Sequence, residues 1–125
     1  MKEYIKGANP YMPLWEHVPD GEPRVFEHNG EKRVYVYGSH DTEKTCYCGK
    51  DQVVWSAPVD DLTNWTCHGV CYTATDGSIL YAPDVIKKGD TYYLYAAECC
   101  GGRIMVAKSD NPAGPFVDPV KTDLG

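Results

Sequence analysis

Three acidic side chains beside prolines are the residues most able to do chemistry. In YAPDVIKKGDTYYLYAAE (81–98), Asp84 stands at the mouth of a segment that otherwise reads as a buried strand, followed by a turn and a tyrosine-rich strand. Carboxylates avoid such places unless something holds them there. In PDGEPRVF (19–26), Glu22 directly precedes Pro23, and Asp20 lies two residues earlier. Carboxylates fixed at strand mouths can take a proton from water or give one to a leaving oxygen. The plainer alternatives are an Asp84 that bonds backbone N–H groups at a turn and a Glu22 solvated in its loop. The six cysteines (46, 48, 67, 71, 99 and 100) offer less. A zinc site would draw on Cys46, Cys48, Cys67, Cys71 and His68, but their spacings do not form paired CxxC knuckles. Free thiols acting as small apolar fillers in β-structure are the better reading.

The elements that must position these acids are strands. Helical periodicity is almost absent; aromatic and β-branched clusters alternate with Gly, Asn, Asp and Pro. The organisation is an internal repeat of about sixty residues. EPRVFEHNGEKRVYVYGSHD (22–41) aligns with APDVIKKGDTYYLYAAEC (82–99): Pro-x-Val, a turn carrying Gly, then Tyr-hydrophobic-Tyr. QVVWSAPVDDLTNW (52–65) likewise resembles RIMVAKSDNPAGPF (103–116). Each unit predicts four strands: 23–27, 34–39, 52–57 and 65–70, then 82–87, 91–97, 103–108 and 115–118. Four strands per repeat is the content of a β-propeller blade, with blade one over about 20–70 and blade two over about 80–125. Two blades cannot close a ring, so the chain (1–125) reads as a partial propeller domain, the N-terminal two-fifths of a longer protein. The alternative is several copies completing one ring; open blade edges favour such self-association.

The motif combination is more specific than the repeat. A blade opening Ala-Pro-Asp-Val, with a Gly-Asp turn and a Tyr-Tyr-Leu-Tyr strand, resembles the second blade of glycoside hydrolase family 43. VWSAPVDDLTNW and SDNPAGPF are similar to that family's outer strands and turns, and the likeness covers nearly the whole chain. The resemblance implies an all-β, five-bladed propeller, truncated here to two four-stranded antiparallel blades. It implies hydrolysis of arabinose- or xylose-containing glycans with inversion, by an arabinofuranosidase or β-xylosidase. Three acids would do this work: a base on blade one, an orienting and pKa-tuning Asp on blade two, and a general-acid Glu on blade three. Asp84 matches the second by its context. Glu22 matches the base by its register before Pro23, although the family usually has Asp there; Asp20 is the alternative. The acid would lie beyond Gly125. Tyr81 replaces a Trp often found three residues before the second acid. No cofactor is required; family members sometimes hold calcium at the ring centre, but no ligand for it can be named in these two blades.

Propeller geometry explains the arrangement. Inverting hydrolysis needs a base and an acid about 6.5–9.5 Å apart. First strands of successive blades surround one axis, so acids at their starts converge. The end of each second strand lies beside the start of the first, which brings GSHD (38–41) and AAECC (96–100) to the same rim. His40, Asp41, Glu98 and Tyr81 are therefore candidate substrate contacts, and Trp15 could stack on a sugar face. Each has a duller counterpart: loop polars for His40 and Asp41, a structural acid for Glu98, a packing residue for Trp15. The Tyr35/Tyr37 and Tyr93/Tyr95 pairs read as structural, because residues two apart share a strand face.

Composition bounds the classes. With 12 basic and 18 acidic residues the net charge is -6, which disfavours nucleic acid. No apolar run is long enough for a membrane span, and the first residues lack a signal-peptide core, so the expectation is cytoplasmic. The expected partner is an oligosaccharide or polysaccharide. Two other classes compete with the glycosidase: a non-catalytic carbohydrate-binding propeller, favoured by Glu22 in place of Asp, and a protein-interaction propeller, which predicts no converging carboxylates.

Overall fold

The computed structural model describes residue 12 and residues 16–41, 49–99 and 102–123. It contains β1 (Glu22–His28), β2 (Glu31–Ser39), β3 (Asp51–Pro58), β4 (Thr66–Thr73), β5 (Leu80–Lys88), β6 (Thr91–Glu98), β7 (Arg103–Ser109) and β8 (Val117–Lys121). These form two antiparallel sheets, ordered β1-β2-β3-β4 and β5-β6-β7-β8. Each is a blade whose strands follow one another in sequence.

Local chemistry sets the hairpins. Asn29 and Gly30, both at positive φ (51° and 76°), turn β1 into β2 with the backbone twist a tight hairpin needs. β1 alternates half-buried and exposed residues, whereas β3 is buried almost throughout, as expected for an edge strand and an interior one. Between the blades, Tyr35, Tyr37 and Val54 pack against Val85, Tyr92, Leu94 and Met105. Phe26 meets Tyr92 edge-on with ring centroids 5.1 Å apart. Backbone bonds stitch the two together: Leu80 N–H donates to Gly49 O at 2.9 Å, and Phe116 N–H to Cys71 O at 2.9 Å.

Three departures from the sequence expectation have identifiable causes. β4 runs on to Thr73 because two bulges against β3 let the bent strand keep pairing. β8 begins at Val117, since Phe116 turns into the core against Tyr37. β5 begins earlier, at Leu80, and is interrupted by a bulge between Tyr81 and Asp84, where Ala82 has a φ of 34°. Asp84 thus follows an irregularity within the strand and pairs directly opposite Tyr95.

Of the two tyrosine pairs, Tyr35/Tyr37 packs as expected, whereas Tyr95 is exposed. Tyr35 and Tyr37 are buried and stacked at 6.3 Å. Cys71 is a buried free thiol, pushed up to about 12 chiefly by burial; Cys67 and Cys99 are free and exposed. Cys46 and Cys48, two members of the candidate zinc set, lie outside the described residues.

Candidate active site

The two blades bring their first strands together at one point. From β1, the Arg24 guanidinium crosses to β5 and grips Asp84 with a planar fork: Nε to Oδ1 and Nη2 to Oδ2, both 2.8 Å. The same Nη2 lies 3.2 Å from Glu22 Oε1. Glu22 and Asp84, from different blades, therefore share one nitrogen as neighbour. Asp84 Oδ1 also accepts the Val85 N–H at 2.7 Å, so three donors hold this carboxylate, and the bulge before it aims it at them. All three side chains keep about two-fifths of their surface open to solvent (40 %, 40 % and 41 % for Glu22, Arg24 and Asp84). The hydrogen bond to Asp84 is the first cause that raises the Arg24 guanidinium above its ordinary value. Convergence of the two acids is the feature that a purely protein-binding propeller does not predict.

Arg24 is the site residue that the sequence reading missed, although a signal existed. It follows Pro23 as Asp84 follows Pro83, so the repeat places opposite charges at one equivalent position.

Asp20 stands on an exposed turn ahead of β1 with a φ of 55°. His40 is half-buried just past β2. Its Nδ1 is 2.9 Å from Asp51 Oδ1, and its Nε2 is 3.7 Å from Glu16 Oε1. Glu16 in turn accepts the Trp55 indole N–H at 3.0 Å, which ties the approach segment to blade one. Asp41 N–H donates to His17 O at 3.2 Å, and its Oδ1 is buried without a hydrogen-bond partner among the described residues. Gly38 and Gly49 make this rim close-packed. A Cβ on Gly38 would collide with Val18, and one on Gly49 with the His40 carbonyl. Tyr81 is half-buried, and its carbonyl accepts Gln52 Nε2 at 3.3 Å. Trp15 lies outside the described residues.

Glu98 is placed differently from the rim position read from the sequence. Its side chain is wholly inaccessible, and its oxygens are taken by Arg103 Nη2 at 2.8 Å, Thr75 N–H at 3.1 Å and Tyr72 O–H at 3.4 Å. Buried carboxylates persist only with such partners, and this one has no surface left for a sugar. The reason is Arg103, its direct cross-strand partner on β7, which draws Glu98 inward.

A separate hollow of about 350 Å³, lined in part by His28, Arg33, Tyr35, His68 and Asn111, opens near the β1–β2 turn. It lies roughly 20 Å along β1 from Glu22 at the usual strand rise and holds none of the candidate acids. No group of three or more His, Cys, Asp or Glu among the described residues is arranged to hold a metal ion.

The profile of glycosyl hydrolases family 43 matches residues 20–124. The chain belongs to this family. Among family relatives, a xylosidase/arabinosidase from Thermoclostridium stercorarium is 48% identical over 117 residues, covering 86% of this chain and 24% of the relative. Xylosidase/arabinosidase 43A from Humicola insolens is 34% identical, covering 87% and 38%. The chain thus spans between a quarter and two-fifths of these relatives' lengths. Solved structures agree on the fold. RS223 β-xylosidase superposes with a TM-score of 0.65 at 30% identity, over 84% of this chain and 36% of that one. An α-L-arabinofuranosidase from Clostridium thermocellum gives 0.61 at 36% identity, over 80% and 34%. The two sheets are two blades of the family's propeller.

Proposed function

We propose that the full-length protein hydrolyses xylose- or arabinose-containing glycans with inversion, using Glu22 as general base and Asp84 as the acid that orients the site. The observation that carries this reading is the convergence of Glu22 and Asp84, one from each blade, on the single Nη2 of Arg24. Relatives with xylosidase and arabinosidase names support the substrate class. Glu22 has one ion pair among the described residues and an open flank, as a base that must meet water requires. Asp84, fixed by three donors, suits an unmoving orienting role. His40 and Asp41, at the adjoining rim, are the sugar contacts in this scheme, with Tyr81 beside the bulge. The general acid is a carboxyl group outside these two blades.

The test uses the full-length enzyme on aryl xylosides and aryl arabinofuranosides. Glu22→Gln is expected to lower kcat by about 10²–10⁴-fold, the usual worth of a general base. Asp20→Asn should leave kcat within about twofold, as surface changes usually do. The reverse pattern would move the base to Asp20. Full kcat in both variants would leave neither as base and end this reading.

A further inference from the structure

Two carboxylates on neighbouring strands repel one another, and neither β1 nor β5 supplies a second cation to the pair. We propose that Arg24 is a positioning residue: its fork locks Asp84, its positive charge offsets the repulsion between Asp84 and Glu22, and together these set the pH range of hydrolysis. This rests on the reading of Glu22 and Asp84 given above.

The geometry is specific to a guanidinium. Nε and Nη2 lie in one plane and meet both oxygens of Asp84 at 2.8 Å, while Nη2 keeps its second contact to Glu22. An ammonium is a point charge and cannot hold a carboxylate's plane in this way. Among the described residues, few groups face Arg24. Glu22 is on its own strand, Asp84 comes from β5, and Tyr35 is its direct partner on β2; Tyr37 sits opposite Glu22. Among the described residues that face it, Glu22 and Asp84 are the only carboxylates.

The signs follow from charge. Removing the cation makes the carboxylate form of Glu22 less favourable, so the acidic limb of the kcat/KM profile moves to higher pH. It also unmasks the negative field of Asp84, so a general acid placed nearby holds its proton to higher pH and the basic limb moves up too. Partial exposure screens both effects, leaving shifts of about half a unit to one unit. A mere tether between blades would lower thermal stability and leave both limbs in place.

The experiment measures pH profiles and melting temperatures of the full-length enzyme and its variants. Arg24→Gln should raise both limbs. Arg24→Lys should restore their positions yet keep kcat about tenfold low, since charge returns without the fork. Should Arg24→Gln not fold, Asp84→Asn gives the opposite sign: Arg24 is released to Glu22, and the acidic limb should move down. Unmoved limbs in a folded Arg24→Gln enzyme, or an unmoved acidic limb in Asp84→Asn, would overturn the proposal. Glu22→Gln separates the two levels. If it is inactive while Arg24→Gln leaves the limbs in place, only the role of Arg24 fails; if it is fully active, the acid pair fails as well.

Discussion

Blade one and blade two share a backbone plan and reverse its charges. After the common proline, blade one carries Arg24 and blade two Asp84, and these equivalent residues bind each other. At the end of the second strand, blade one pairs His40 with Asp51, whereas blade two pairs Glu98 with Arg103. Base and acid have changed places. The environments differ as well: His40 and Asp51 each keep 29% of their side-chain surface, but Glu98 keeps none. Burial shows a second contrast. Val85 is fully buried and Val25 is half-exposed (51%), although each follows the residue after its proline. Val85 faces the sheet of blade one, while no described sheet covers Val25. Likewise Tyr37 is buried between the blades and Tyr95 lies exposed on the opposite side of blade two. Equivalent residues thus differ in burial according to what packs on their face, and in charge according to what they must meet.

The sharpest way to break the comparison is to treat the reversed pairs as energetic equals. In the full-length protein, Glu98→Ala should cost about 1–3 kcal/mol, because it leaves the Tyr72 and Thr75 donors without their acceptor, while the partly exposed Arg103 keeps only Asp76. His40→Ala, at a half-open pair, should cost less than about 1 kcal/mol. Urea titration measures both; similar losses would mean that burial does not separate the two pairs. A smaller effect is expected at the valines. Val85→Ala should destabilise by about 2 kcal/mol through lost contacts and a cavity. An equal loss from Val25→Ala would reveal another sheet packed on the outer face of blade one, whereas a silent substitution would leave that face to solvent. A last effect shows only in alkaline solution. Burial raises the Cys71 thiol from 9.0 to about 12, and burial with Glu98 raises Tyr72 from 10.0 to about 12. Between the ordinary and raised values the unfolded chain has released these protons and the folded chain has not. Stability therefore falls as pH rises through that window, and the melting temperature should begin to drop near pH 9. In the same native samples iodoacetamide should modify Cys67 and Cys99 and spare Cys71.

The strand plan was legible in the sequence because its signals are local. Asn29-Gly30 and Gly89-Asp90 mark the tight turns, and the Tyr-x-Tyr repeats mark the second strands. The position of Asp84 also followed from its repeat context. What escaped depended on register and neighbours. Glu98 reads as a rim residue until β7 is laid beside β6 and Arg103 falls opposite it. Phe116 reads as the opening of a strand until Tyr37 gives it a place to insert. Arg24 went unread, since nothing within its own strand shows that β5 will present a carboxylate to it. Sequence periodicity reports which side a residue faces; it does not report what waits there.

The contact between Arg24 and Asp84 limits how alike the two units can become. A propeller rebuilt from one averaged blade would repeat a single residue after each proline. Two aspartates, or two arginines, would then confront each other beside the axis. Perfect internal symmetry is thus electrostatically unsound at this spot, and a designer who wants identical blades must make the position neutral and forgo the ion pair between them.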